Sequence, residues 1–135
     1  MRSWAEHTGE LELELGAGTH EGLFVEAALA LGELLSERAE SSDEAPAPAE
    51  IAVAVDAPDA PALLAEWLAE LAYRAERDGL VPARVERLAL SETQLDATLA
   101  AVRLEVSHLV KAVTYHRLGI WRQGDAWRAR VVFDV

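Results

Sequence analysis

The stretch Leu11–Leu35, "LELELGAGTHEGLFVEAALALGELL", changes its apolar period part-way along, and that change decides the fold class. Leu11, Leu13 and Leu15 alternate with Glu12 and Glu14, so an extended chain buries the leucines and leaves the glutamates on its wet face. Gly16 and Gly18 break the alternation, and Thr19 stands where a side-chain oxygen caps the first free N–H groups of a helix. Beyond it Phe24, Ala27, Ala28, Leu31, Leu34 and Leu35 recur at spacings of three and four. They draw one apolar stripe along a helix of about 17 residues, which must pack on something flat.

The same two periods recur downstream. Residues 36–50, "SERAESSDEAPAPAE", hold serine, acid and proline without a large apolar residue and predict a solvated loop. The short strand "IAVAV" follows, and then Asp59, Pro61 and Gly79 bracket a second helix as cap, first-turn proline and terminator. Its apolar face is Leu63, Leu64, Trp67, Leu68 and Leu71. From Val85 onward strands are expected in "VERLAL", "TLAAVRLEV", "KAVTYHRLGIW" and "AWRARVVFDV", although "ETQLDATLAAVRLEV" also has the alanine and leucine content of a helix. The glycine turn at Gln123–Asp125 predicts a hairpin between the last two strands, and residues 1–10 read as a turn before the first. The expectation is an α+β fold in a single domain over residues 1–135, with both amphipathic helices on one face of a mainly antiparallel sheet.

Composition narrows the function classes. The chain has 135 residues, no cysteine and a formal charge of -12. Thiolate chemistry and disulfides are excluded, and a reducing, cytoplasmic setting is expected. So acidic a protein is not expected to bind free nucleic acid, whose backbone is attracted through lysine and arginine. No segment resembles a secretory signal, and the longest apolar run is broken by Glu26 and Glu33, so no membrane association is expected. Only residues 111–135 are net basic, and they contain Lys111, the one lysine in the chain. A small basic tract on an acidic body suits docking to a particular partner.

Three short tracts carry candidate chemistry. In "EHTGE", Glu6–Glu10, a histidine, a threonine and two carboxylates precede a strand, and such oxygen-rich groups suit Ca²⁺, Mg²⁺ or Mn²⁺. The plainer reading is that Glu10, Glu12 and Glu14 form the wet face of that strand. In "KAVTYH", Lys111–His116, alternation places Thr114 and His116 on one face with Leu118 and Ile120, and Val113 and Tyr115 on the other. A hydrogen-bonded polar cluster explains that pattern as well as a functional one. In "RARVVFDV" the alternation runs to the chain end, predicting an ordered strand tip with Asp134 beside Val135. That tip is either ion-paired with arginine or binds something cationic. Glycine-rich phosphate loops with lysine and the G-x-S-x-G elbow are absent from the sequence.

Taken in order, these tracts resemble the archeases. Their Asp/Glu-His-Thr-Ala-Asp signature appears as Glu6-His7-Thr8-Gly9-Glu10, and their first-helix pattern is matched by Thr19, Phe24, Ala27, Ala28 and Ala30. "LLAEWLAEL" (Leu63–Leu71), "VKAVTYH" (Val110–His116) and the terminal "VVFDV" match the remaining motifs. The resemblance implies a protein cofactor that promotes guanylylation and repeated turnover of a GTP-dependent RNA ligase in tRNA splicing or RNA repair, without catalysing ligation itself. It implies a divalent metal ion (Ca²⁺, or Mn²⁺/Mg²⁺) held by Glu10, Asp134 and Val135, and partner-binding or activating roles for His7, Lys111, Thr114, Tyr115 and His116. Glu10 departs from the family's aspartate by one methylene. The loop before "VKAVTYH" is short, which leaves open whether His108 matches a histidine of that loop. Two other classes stand beside this reading: a small metal-dependent hydrolase using His7, His116 and the carboxylates, and a metal-free interaction module of the same fold.

Overall fold

The computed structural model describes residues 1–39, 45–107 and 109–135. Among them the chain runs β1 (Arg2–His7), β2 (Glu10–Ala17), α1 (His20–Glu37), β3 (Ala47–Asp56), α2 (Ala60–Asp78), β4 (Leu80–Leu90), β5 (Gln94–Arg103), β6 (Ala112–Gln123) and β7 (Ala126–Asp134). Every strand pair is antiparallel, and the strands divide into two sheets, β1-β2-β7-β6 and β3-β5-β4. The α+β class is as expected. Both helices touch both sheets, α1 lying on β2 and β4, and α2 on β6, β4 and β3.

Local chemistry sets the helix ends. Thr19 Oγ1 accepts the Gly22 N–H at 3.0 Å, and Asp59 Oδ1 accepts the Ala62 N–H at 2.9 Å, so each cap satisfies a first-turn donor. Gly79 takes φ +68° and donates its N–H to Ala75 O at 2.9 Å, closing α2 in the left-handed conformation that glycine adopts without a Cβ clash. The apolar stripes then meet in one cluster: Leu11, Leu13 and Leu15, Phe24 and Leu31 of α1, Trp67 and Leu71 of α2, and Ile51, Leu99, Val131 and Phe133 of the strands. Two contacts fix the helices within it. The Trp67 indole N–H donates to Phe24 O at 2.9 Å, joining α2 to α1. Gly32 lies so close to β4 that a Cβ built on it would stand 2.1 Å from Pro82 O.

Several boundaries differ from the sequence reading. Residues 2–7 form β1 rather than a turn, although only Trp4 among them is a large apolar residue. Its inward residues are held from α1 and β7: Arg2 reaches Glu33 and Glu26 of α1, which hold its guanidinium protonated well above the usual range, and Trp4 packs on Phe133 of β7 with ring centroids 5.4 Å apart. β3 starts at Ala47, so the end of the expected loop is strand. Pro48 is tolerated because β3 is a sheet edge, where a missing N–H breaks no inner ladder. β4 starts at Leu80 rather than Val85. The ambiguous "ETQLDATLAAVRLEV" contains β5, whose Leu95, Ala97, Leu99 and Ala101 are buried because it is the central strand of its sheet. Residues 40–44 of the expected loop, and His108, lie outside the described residues. Among the described residues, no helix is long and apolar enough to cross a membrane.

Candidate functional site

The turn between β1 and β2 is two residues long, Thr8 and Gly9, and Gly9 supplies the positive φ, +74°, that it requires. His7 therefore lies opposite Glu10. Glu10 in turn lies opposite Asp134 of β7, and Asp134 opposite Ala112 of β6. Directly opposed residues of antiparallel strands project from the same face of the sheet. One row across the sheet end thus carries His7, Glu10 and Asp134 on the face away from Leu11 and Phe133. The sequence separation between the two carboxylates vanishes because the first hairpin pairs with the last strand.

Main-chain bonds hold the row together. Val135 donates its N–H to Gly9 O at 3.1 Å, and Lys111 donates its N–H to Asp134 O at 2.8 Å. The chain end is therefore ordered, as the alternation of β7 predicts, and is fixed between the β1–β2 turn and the start of β6. Among the described residues no ion pair reaches the Asp134 side chain, so the expected alternative of a bond to Arg128 or Arg130 is not formed.

The β6 side of the site departs from simple alternation. Thr114 pairs with Val132 but Gly119 pairs with Arg130, so β6 spans five residues where β7 spans two. The extra residues form a bulge that rotates side chains out of the pleat. Thr114 and His116 consequently do not share a face with Leu118 and Ile120. Thr114 is half-buried and its Oγ1 accepts the His116 N–H at 3.3 Å, while Tyr115, His116 and Arg117 are all exposed, Tyr115 by 61%.

Arg117, in this bulge, has φ +58°, a conformation that side chains other than glycine rarely hold. Its Nη1 stands 3.0 Å from Glu12 Oε1 and its Nη2 4.0 Å from Glu10 Oε2, reaching over β7 to β2. Glu12 is not on a wet face: it is 8% exposed, the one charged residue buried among those described. Its Oε1 lies in ionic range of Arg117 but off the N–H axis, and no hydrogen bond satisfies it. Sequence reasoning missed both residues. Glu12 has the spacing of a solvated strand position, and nothing in "TYHRLGIW" signals a bulge.

A profile of the Archease protein family matches residues 3–135. The chain belongs to the archease family. It is 30% identical to the archease of Methanopyrus kandleri, with 96% of each chain covered, and 28% identical to that of Methanosarcina barkeri, covering 98% of this chain and 94% of the other. Its fold is similar to the crystal structure of a Thermotoga maritima archease described as a possible chaperone, with a TM-score of 0.65, 25% identity, and 100% and 98% of the two chains covered. A solution structure from Methanobacterium thermoautotrophicum has the same fold at a TM-score of 0.66 and 22% identity.

The donors at the sheet end suit the metal that resemblance to archeases implies. Glu10 and Asp134 offer carboxylate oxygens from one row, and Glu12 Oε1 on the same strand as Glu10, ion-paired with Arg117, has no hydrogen bond of its own. An all-oxygen, anionic set of this kind favours a hard divalent cation. Among the described residues no three His, Asp or Glu side chains cluster for a metal, and the resemblance to archeases implies the carboxylate of Val135 as the third group beside Glu10 and Asp134.

Proposed function

We propose that this archease family member is an accessory protein of a GTP-dependent RNA ligase, promoting guanylylation and repeated turnover of the ligase without catalysing ligation itself. Its divalent cation is held by Glu10, Asp134 and the Val135 carboxylate. The observation that carries the reading is the direct opposition of Glu10 and Asp134, with Val135 tied to the turn preceding Glu10. The cation would supply concentrated positive charge beside a protein surface. The chain's own residues provide the rest: the Gly9 turn and the β7 ladder orient the carboxylates, and exposed His7, Lys111, Tyr115 and His116 around them offer polar contacts to the ligase.

The test is multiple-turnover ligation by the cognate ligase at substoichiometric amounts, with and without this protein. Stimulation is the expected result, and its absence would overturn the assignment. Glu10→Ala and Asp134→Ala are each expected to abolish stimulation while changing stability by no more than about 0.5 kcal/mol in metal-free buffer, because neither side chain belongs to the core. Thermal melts beside the ligation assay check both halves. A large loss of stability would mark the pair as structural instead.

Extension beyond Val135 is a second discriminating change. An added residue turns the terminal carboxylate into a neutral amide and removes one charge from the ligand set. A C-terminal tag is therefore expected to weaken Mn²⁺ or Ca²⁺ binding about tenfold, where charge count governs affinity, while the same tag before Met1 leaves it unchanged. Equal affinities by calorimetry would remove Val135 from the set.

A further inference from the structure

Glu12 and Arg117 have no part in the ligand set, yet they have the least ordinary local structure on this face. A carboxylate 8% exposed is costly unless paired, and the partner is a guanidinium carried on a backbone at φ +58°. The bulge between Thr114 and Gly119 carries Arg117, and its guanidinium reaches Glu12 of β2. A regular β6 would alternate its side chains and lack the extra residues that carry Arg117 there. Once placed, Arg117 has two acidic neighbours at unequal distances, Glu12 at 3.0 Å and Glu10 at 4.0 Å. The nearer one holds it, and the farther one is a carboxylate of the proposed cation site.

We propose that Arg117 is a built-in counter-ion of the cation site, which sets its affinity by competing for Glu10, and that Glu12 is the anchor limiting that competition. This rests on the metal reading given above. A guanidinium in ionic range of Glu10 repels an incoming divalent ion and attracts the carboxylate the ion needs. Glu12, by drawing Nη1 to itself, keeps Arg117 from closing fully on Glu10. The two residues therefore act with opposite signs.

The experiment is calorimetric titration of the full chain with CaCl₂ and with MnCl₂ at fixed ionic strength. Arg117→Ala is expected to tighten binding about tenfold, the size of a unit charge acting on a divalent ion at a few ångströms in a well-screened site. Glu12→Gln keeps the shape of the side chain but releases Arg117, and is expected to weaken binding several-fold. Opposite shifts cannot come from general destabilisation, which weakens both variants. Wild-type binding with Arg117→Ala unchanged or weaker would overturn the role of Arg117 while leaving the metal site standing. No binding by either protein would overturn the metal reading and this inference together.

Discussion

Trp67→Ala is expected to cost about 3–5 kcal/mol of folding stability, the range for deleting a large buried aromatic side chain. Trp67 is fully buried, and its indole N–H donates to Phe24 O across the α1–α2 contact. Truncation removes the dispersion contacts of the ring, opens a cavity beneath both helices, and breaks the hydrogen bond joining them. Small domains have only about 5–15 kcal/mol in total, so much of the margin would go. Trp67→Phe separates the contributions: it keeps most of the apolar volume and loses the N–H, for an expected cost of about 1–2 kcal/mol. Urea denaturation of the three proteins measures both. A Trp67→Ala variant within 1 kcal/mol of wild type would show that the helices are held chiefly by their contacts with the sheets.

Gly32→Ala is expected to destabilise by about 3 kcal/mol, at the upper end for overpacking a close contact. The direction is the informative part. Glycine in a helix interior normally lowers stability by about 1 kcal/mol relative to alanine, so an exposed site would gain from the change. Here the new methyl group would stand 2.1 Å from Pro82 O, a backbone atom that cannot rotate aside. α1 must lift from β4 or bend, and either movement separates helix and sheet along the buried stripe. A melting temperature equal to or above that of wild type would mean that β4 yields at Pro82, where its pairing with β5 is already irregular.

These two positions differ in how far they could be read from the chain. Trp67 lies on an apolar stripe with a period of 3.6, so its burial was legible, and only its hydrogen bond was not. Gly32 sits within the same kind of stripe and gives no sign that a strand backbone approaches it. The site divides similarly. Resemblance and the apolar alternation of β7 point to Glu10, Asp134 and Val135, whereas Glu12 has the spacing of a solvated residue and Arg117 that of an ordinary strand position.

What the sequence determined by itself is therefore what depends on neighbours three or four residues away. Thr19 and Asp59 cap their helices, Gly79 ends α2, Gly124 turns the last hairpin at φ +63°, and apolar spacing separates helix from strand. Each is settled by bonds and clashes within about one turn of chain. The tertiary structure decided the rest: that residues 2–7 are a strand, that the strands form two sheets, that Gly32 meets Pro82, and that β6 bulges. β1 lacks an apolar alternation because α1 supplies its partners, Glu26 and Glu33. The pairing of β2 with β7 sets Glu10 beside Asp134 across more than a hundred residues, and the bulge sets Arg117 beside both glutamates. Such contacts are fixed by how the apolar faces of distant elements close over one core, which no local window of the chain contains.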